Sequence, residues 1–149
     1  MPRFKECSPM LAKTIYTTAA TATGGRDGRA RTADGTLNIW LDMPAELGGK
    51  GHGNNPEQLF AAGYSACFLS AMKTVAAAQK IAVPATTTVT ATVGIGPRAA
   101  GGFGLSVALS VEIPGLDRTQ AQALIEAAHA VCPYSNALRS NVDVVLTLA

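Results

Sequence analysis

The stretch Asn55-Pro56-Glu57-Gln58-Leu59-Phe60-Ala61-Ala62-Gly63-Tyr64-Ser65-Ala66-Cys67-Phe68 decides how the rest of the chain is read. Asn55 can accept a hydrogen bond from a first-turn backbone N–H, Pro56 suits the first helical position, and Gln58 stands where a capping box needs it. A long helix is therefore expected from here to near Lys80, where the sequence turns β-like in IAVPATTTVTATVGIG. Gly63, Cys67, Ser70, Ala71, Thr74 and Ala78 recur at three- and four-residue spacing. That stripe of small residues lets another backbone approach closely and predicts a central, nearly encircled helix. The apolar run Leu59 to Ala78 has the length of a membrane span, but Lys73, the Ala/Gly/Ser content and the capped start favour a core helix, so no membrane is expected.

Working upstream, TIYTTAATAT (Thr14 to Thr23) reads as a strand that runs into the glycine turn GGRDG. Asp34-Gly35 separates RART from TLNIWLDM, where Leu37, Ile39 and Leu41 alternate with Asn38, Trp40 and Asp42 as in a half-buried strand. The N-terminal third is a β-meander closed by the loop GGKGHGNN. Downstream, strands at about Thr86 to Gly94 and Leu105 to Ile113 form a hairpin across PRAAGGFG. Asp117 and Gln120 frame a second capping box, and Ala121, Leu124, Ile125 and Ala128 mark the apolar face of a helix that stops before Pro133. A short helical turn resumes there, and VDVVLTL closes the chain as a strand pairing inside the sheet. Strands and helices cluster rather than alternate, so the fold class is α+β. We expect a single domain over residues 1–149, with about 1–13 an irregular tail.

With 149 residues, 48% of them hydrophobic, the chain can bury one core. Its charged fraction of 15% is below the roughly 25% of ordinary soluble domains, which predicts a surface covered by a partner and hence an oligomer. The net charge of +2 comes without a Lys/Arg run, which excludes nucleic acid as an expected partner. MPRFKECSPMLAK lacks the apolar stretch of a signal peptide, and three cysteines are too few for a disulfide scaffold. The expected location is the reducing cytoplasm.

Read together and in order, TGGRDGR (Thr23 to Arg29), NPEQLFAAGYSACF (Asn55 to Phe68), VGIG (Val93 to Gly96), GGFGL (Gly101 to Leu105) and AHAVCPYSNA (Ala128 to Ala137) resemble the organic hydroperoxide resistance branch of the OsmC/Ohr family. The resemblance runs from about Thr14 to the C-terminus, and the TGGR turn and VCPYSNA segment separate it from the osmotically inducible group. It implies an intertwined homodimer with two active sites at the subunit interface, and a thiol-dependent peroxidase that reduces alkyl and fatty acid hydroperoxides to alcohols. By motif matching, Cys67 takes the position of the peroxidatic cysteine, Cys132 that of the resolving cysteine, Arg26 that of the activating arginine and Glu57 that of its carboxylate partner. The reductant implied is a dihydrolipoyl dithiol, as dihydrolipoamide or on a lipoylated protein, acting from outside with no bound cofactor. One departure is Asn54, where the family pattern has Thr; the cap at Asn55 remains.

The chemistry explains why such residues are required. A free thiol, with a pKa of about 8.5, is mostly protonated at neutral pH, and burial in an apolar helix pushes that value further up. A guanidinium such as Arg26 can reverse the sign, and Glu57 can orient it and offset its charge. Glu57 precedes Cys67 by ten residues, a helical rise of roughly 15 Å. Either the helix breaks near Gly63, the preferred reading, or the glutamate beside each cysteine comes from elsewhere, including the partner chain. After attack Cys67 becomes a sulfenic acid, which Cys132 can condense into a disulfide. Cys132 sits at a helix break, where the N-terminus of the short helix would favour its thiolate. Leu59, Phe60, Phe68 and Phe103 are candidates to line a channel for bulky organic substrates.

Plainer readings compete with each of these. A cysteine in an apolar helix is, in isolation, more often a small buried hydrophobe. Arg26 alone would be a solvent-facing turn residue, and Glu57 alone a first-turn acid facing the helix dipole. Cys7 has no motif. His52 and His129 raise a metal site or a cysteine hydrolase, but neither C-x-x-C nor H-x-x-x-H spacing occurs, and nothing suggests a base and oxyanion site around Cys67, so no metal is expected. Outside enzymology, the same cysteine pair could serve a noncatalytic redox sensor or binding module, or the chain could be a purely structural dimer.

Overall fold

The computed structural model describes residues 11–149 in two compact units, one ending at Asn54 and the other spanning Asn55–Ala149. Cys7 and most of the expected tail lie outside the described residues.

In the first unit β1 (Ala20–Thr23), β2 (Gly28–Thr32) and β3 (Asn38–Leu41) form the expected antiparallel meander in the order β1-β2-β3. The strand predicted from Thr14 is shorter than expected. Ala20 pairs with Thr32 and Thr23 with Arg29, so β2 offers no partner to residues 14–19. Gly24 turns the chain at φ +72°, where an added Cβ would lie 2.3 Å from the Asp27 carbonyl oxygen, so only glycine fits. The second turn is held by Asp34, whose Oδ1 accepts from Thr32 Oγ1 at 2.6 Å, Thr36 Oγ1 at 2.8 Å and Thr36 N at 3.1 Å. Leu41 is buried and Ile39 half-buried while Trp40 is exposed, as the alternation predicted, but Leu37 before the strand is exposed; the Arg29 guanidinium lies 4.8 Å from the Trp40 ring centroid. The glycine loop returns to β3 through Asn54 N to Trp40 O at 2.9 Å and Asp42 N to Asn54 O at 3.0 Å.

The second unit begins with the predicted cap. Gln58 N donates to Asn55 Oδ1 at 2.9 Å and Asn55 N to Gln58 Oε1 at 3.1 Å, closing the capping box of α1 (Pro56–Ala78). This helix runs unbroken for 23 residues, so the break expected at Gly63 is absent. One glycine costs a helix about 1 kcal/mol relative to alanine, too little to interrupt a helix with a buried face. At its end Lys80 takes a left-handed φ of 56° while Ile81 N bonds Ala76 O at 2.8 Å.

The hairpin of β4 (Thr88–Pro97) and β5 (Phe103–Glu112) follows, then α2 (Arg118–Val131), α3 (Pro133–Leu138) and β6 (Val144–Leu148). Of the second capping box only the Asp117 half is seen, with Gln120 N donating at 3.1 Å. The sheet order is β4-β5-β6, with β6 parallel to β5. The C-terminal strand was expected inside the sheet but lies at an edge of it. The two helices provide the long crossover that parallel pairing requires, and in this sheet β5 is the strand flanked on both sides. One face of α1 packs on β4 and α2, so that Tyr64, Phe68 and Met72 join Val107, Leu109 and Val111 of β5 and Leu124, Ile125 and Ala128 of α2 in one core. Each such large side chain contributes about 1.5–3 kcal/mol when fully buried. Ala62, Ala66, Ser70 and Thr74 are exposed, so the unit covers the helix on one side rather than encircling it. By length and composition α1 could cross a membrane, yet its largest side chains are enclosed by its own chain.

Because both bonds of the Asn55–Gln58 box are made and Asn55 is buried, Asn55→Ala should destabilise the fold by about 1–2 kcal/mol in denaturant unfolding.

Candidate functional site

Pro133 cannot continue α2, because its ring fixes φ and removes a backbone donor. The chain therefore turns at Cys132, an extended residue (φ −60°, ψ 126°) that ends α2 and precedes the first residue of α3. This turn meets the middle of α1. Cys132 Sγ lies 3.8 Å from Cys67 Sγ, 65 positions away in sequence, and both thiols are free. Cys132 is 0% exposed and Cys67 half-buried.

Two contacts hold the turn against the helix. The Tyr64 hydroxyl and the Ser135 hydroxyl share a buried hydrogen bond of 2.7 Å. Tyr64 precedes Cys67 by three residues on α1 and Ser135 follows Cys132 by three, so one bond joins the two cysteine-bearing segments one turn from the sulfurs. The second contact explains Gly63. A Cβ there would come within 3.1 Å of the Tyr134 hydroxyl oxygen and 3.3 Å of its ring, so glycine makes a seat for Tyr134 where the sequence suggested a helix break. Phe60, Tyr64 and Tyr134 then cluster with ring centroids 5.8–6.1 Å apart. Ser135 also lies 2.8 Å from His129 Nδ1, and Arg139 donates to the His129 carbonyl at 2.9 Å and to Asn136 Oδ1.

Burial pushes the Cys67 thiol above its ordinary value of 9.0, and neighbouring Cys132 adds to the rise. The backbone N–H of Tyr134, in the first turn of α3, acts in the opposite sense. The N-terminus of α3, expected to act on Cys132, thus also acts on Cys67. Tyr64 is likewise raised by burial, opposed by its bond to Ser135. His129 is lowered from 6.5, first by burial and then by the charge of Arg139.

The other residues singled out by sequence lie on both units. Glu57 is half-buried in the first turn of α1, and the unbroken helix separates it from the Cys67 of its own chain by roughly 15 Å along the axis. Arg26 is half-buried in the β1–β2 turn of the first unit. Leu59 and Phe60 are half-buried on α1, Phe68 has 0% exposure and belongs to the core, and Phe103 is 75% exposed where β5 starts opposite Pro97. His52 uses its backbone N–H to bond Asp42 Oδ2 at 3.0 Å. Among the described residues no group of three or more His, Cys, Asp or Glu side chains could hold a metal ion. Tyr64, Ser135 and Tyr134 were missed as site residues, although the matched three-residue spacings of Tyr64 to Cys67 and Cys132 to Ser135 were legible.

Residues 49–147 match the model of the OsmC-like protein family. The chain belongs to that family. An organic hydroperoxide resistance protein of Xanthomonas axonopodis pv. citri is 55% identical to this OsmC-like chain over 138 residues, covering 92% of it and 96% of the relative. A crystal structure of an organic hydroperoxide resistance protein from Legionella pneumophila superposes with a TM-score of 0.87 at 52% identity, covering 92% of this chain and 99% of that one. OhrB of Bacillus subtilis, with the same description, gives 0.83 at 44% identity, covering 91% and 100%. The OsmC-like chain thus sits in the organic hydroperoxide resistance branch, and its α+β architecture is that of the branch.

The lowered pKa of His129 sets a sign for stability. The unfolded state takes up a proton near the ordinary value of 6.5 while the folded state resists it. Stability should therefore fall as pH drops from about 7 to 5, and His129→Gln should flatten this slope in urea titrations across that range.

Proposed function

We propose that this protein is a cysteine-based peroxidase that reduces organic hydroperoxides, with Cys67 as nucleophile and Cys132 as resolving thiol. The observation that carries the reading is the 3.8 Å approach of the two sulfurs, in a chain 55% identical to proteins named for organic hydroperoxide resistance. The Cys67 thiolate attacks one peroxide oxygen, the O–O bond breaks, and the alcohol leaves once its oxygen gains a proton. Cys132 then displaces hydroxide from the sulfenic acid, forming the disulfide and water. A disulfide needs about 2.0 Å between sulfurs, so closing the 3.8 Å gap asks for an approach of about 1.8 Å. The residues of the turn at Cys132 can make that small move. An external dihydrolipoyl dithiol, free or on a lipoylated protein, restores both thiols.

Arg26 supplies the cation that the raised Cys67 thiol requires, and Glu57 orients it. Since α1 is unbroken, the glutamate that serves one Cys67 comes from a second copy of the chain. The active unit is accordingly a homodimer, which the exposed small-residue face Ala62, Ala66, Ser70 and Thr74 suits. We read both units as parts of one domain completed by the dimer, working in the reducing cytoplasm. Leu59, Phe60 and Phe103 are the apolar residues with surface left to meet a bulky substrate.

Purified protein should consume cumene hydroperoxide with dihydrolipoamide as donor, and Cys67→Ser should abolish the reaction; turnover by that variant would refute the assignment. Arg26→Ala should slow the first oxidation by about 10- to 1,000-fold at pH 7, because losing a nearby opposite charge returns one to three pH units to the thiol. Stopped-flow rates that recover as pH is raised would separate this effect from misfolding. A noncatalytic sensor would instead be oxidised once without turnover under the same donor.

A further inference from the structure

The hydrogen bonds beside the cysteine pair continue past it. Ser135 Oγ bonds Tyr64 Oη at 2.7 Å on one side and His129 Nδ1 at 2.8 Å on the other. Beyond lies a cavity of about 220 Å³ lined by His129, Ser135, Arg139, Ser140 and Asp143, mostly polar and large enough for several waters. A serine hydroxyl has one proton to give, so these two bonds cannot be set independently. When His129 Nδ1 is bare, Ser135 donates to it and the Tyr64 hydroxyl donates to Ser135. When His129 Nδ1 carries hydrogen, it donates to Ser135, Ser135 donates to Tyr64, and the Tyr64 proton is released to point elsewhere. Tyr64 sits one helical turn from Cys67, within electrostatic range of both cysteines.

We propose that Tyr64, Ser135 and His129 form a proton relay joining the cysteine pair to this cavity, with His129 the positioning residue that sets the direction of the chain. The proposal rests on the peroxidase reading. Attack of the Cys67 thiolate forms an S–O bond, breaks the O–O bond and leaves an alkoxide that needs one proton. Tyr64 gives its hydroxyl proton to that oxygen and is refilled from Ser135, which is refilled from His129 Nδ1, while His129 Nε2 takes a proton from cavity water, whose hydroxide passes out to bulk solvent. Each group ends neutral and one proton has crossed. When the dithiol later regenerates Cys67 as a thiolate, one proton returns by the reverse route. The charged and titratable groups that face His129 are Arg139 from the end of α3, Asp143 before β6, and the Tyr64, Cys67 and Cys132 group across Ser135. Burial and Arg139 both keep the imidazole neutral, which leaves its two nitrogens free to exchange roles.

Asparagine can still bond Ser135 but cannot pass a proton. His129→Asn and Tyr64→Phe should therefore each slow oxidation of Cys67 by cumene hydroperoxide by roughly 10-fold or more, with the larger loss at high pH, where protons are scarce. In His129→Gly, imidazoles of differing pKa should enter the vacated space and restore the rate in proportion to their acidity. Wild-type rates and pH profiles in both His129→Asn and Tyr64→Phe, or a rescue that ignores imidazole pKa, would overturn the relay while leaving the peroxidase intact. A wild-type protein inert to the hydroperoxide would remove the peroxidase and the relay together.

Discussion

The buried hydrogen bond between Tyr64 and Ser135, 2.7 Å long, is the constraint on which the site depends. It joins a helix of 23 residues to a turn that Pro133 forces at the end of α2. Neither sulfur holds the other, since a contact of 3.8 Å between thiols is weak. The separation is imposed from outside, by hydroxyls one turn away on each side and by the Tyr134 ring seated over Gly63. Fixing the donor and acceptor in packed segments removes most of the entropic cost of bringing two reactive atoms together.

The same enclosure creates an electrostatic problem. Burial around Cys67 also disfavours its thiolate, and one backbone N–H from Tyr134 only partly offsets it. In the proposed mechanism a charge must be brought to the sulfur, and the continuous α1 holds the Glu57 of the same chain roughly 15 Å along the axis from Cys67. In this account a second copy is needed for chemistry as well as for covering the exposed small-residue face of α1. Under the proposed function catalysis and assembly become one requirement, which fits a chain with so few charged residues.

Much of the architecture was legible because its signals are local. Asn55 and Gln58 announce the start of α1 with side chains that bond backbone three residues away, and the apolar spacing Ala121, Leu124, Ile125, Ala128 marks the buried face of α2. The errors arose where a residue's meaning depends on a distant partner. Gly63 is the same glycine whether it breaks a helix or receives an aromatic ring, and only Tyr134 decides. The Thr14 strand stopped short because β2 ran out of partners, and VVLTL lies at an edge because its pairing direction depends on the crossover. The cysteine pair came from motif resemblance, whereas the Tyr64–Ser135–His129 network, built from ordinary polar residues, became visible only once α3 was set against α1.

The fold sets two sulfurs 3.8 Å apart within one chain, and the proposed chemistry requires that they join. Peptide mass spectrometry of the protein after one equivalent of cumene hydroperoxide tests it directly. Loss of two hydrogens in a linked pair of peptides carrying Cys67 and Cys132 is the expected result. Oxygen added to Cys67 with Cys132 still a free thiol would contradict it.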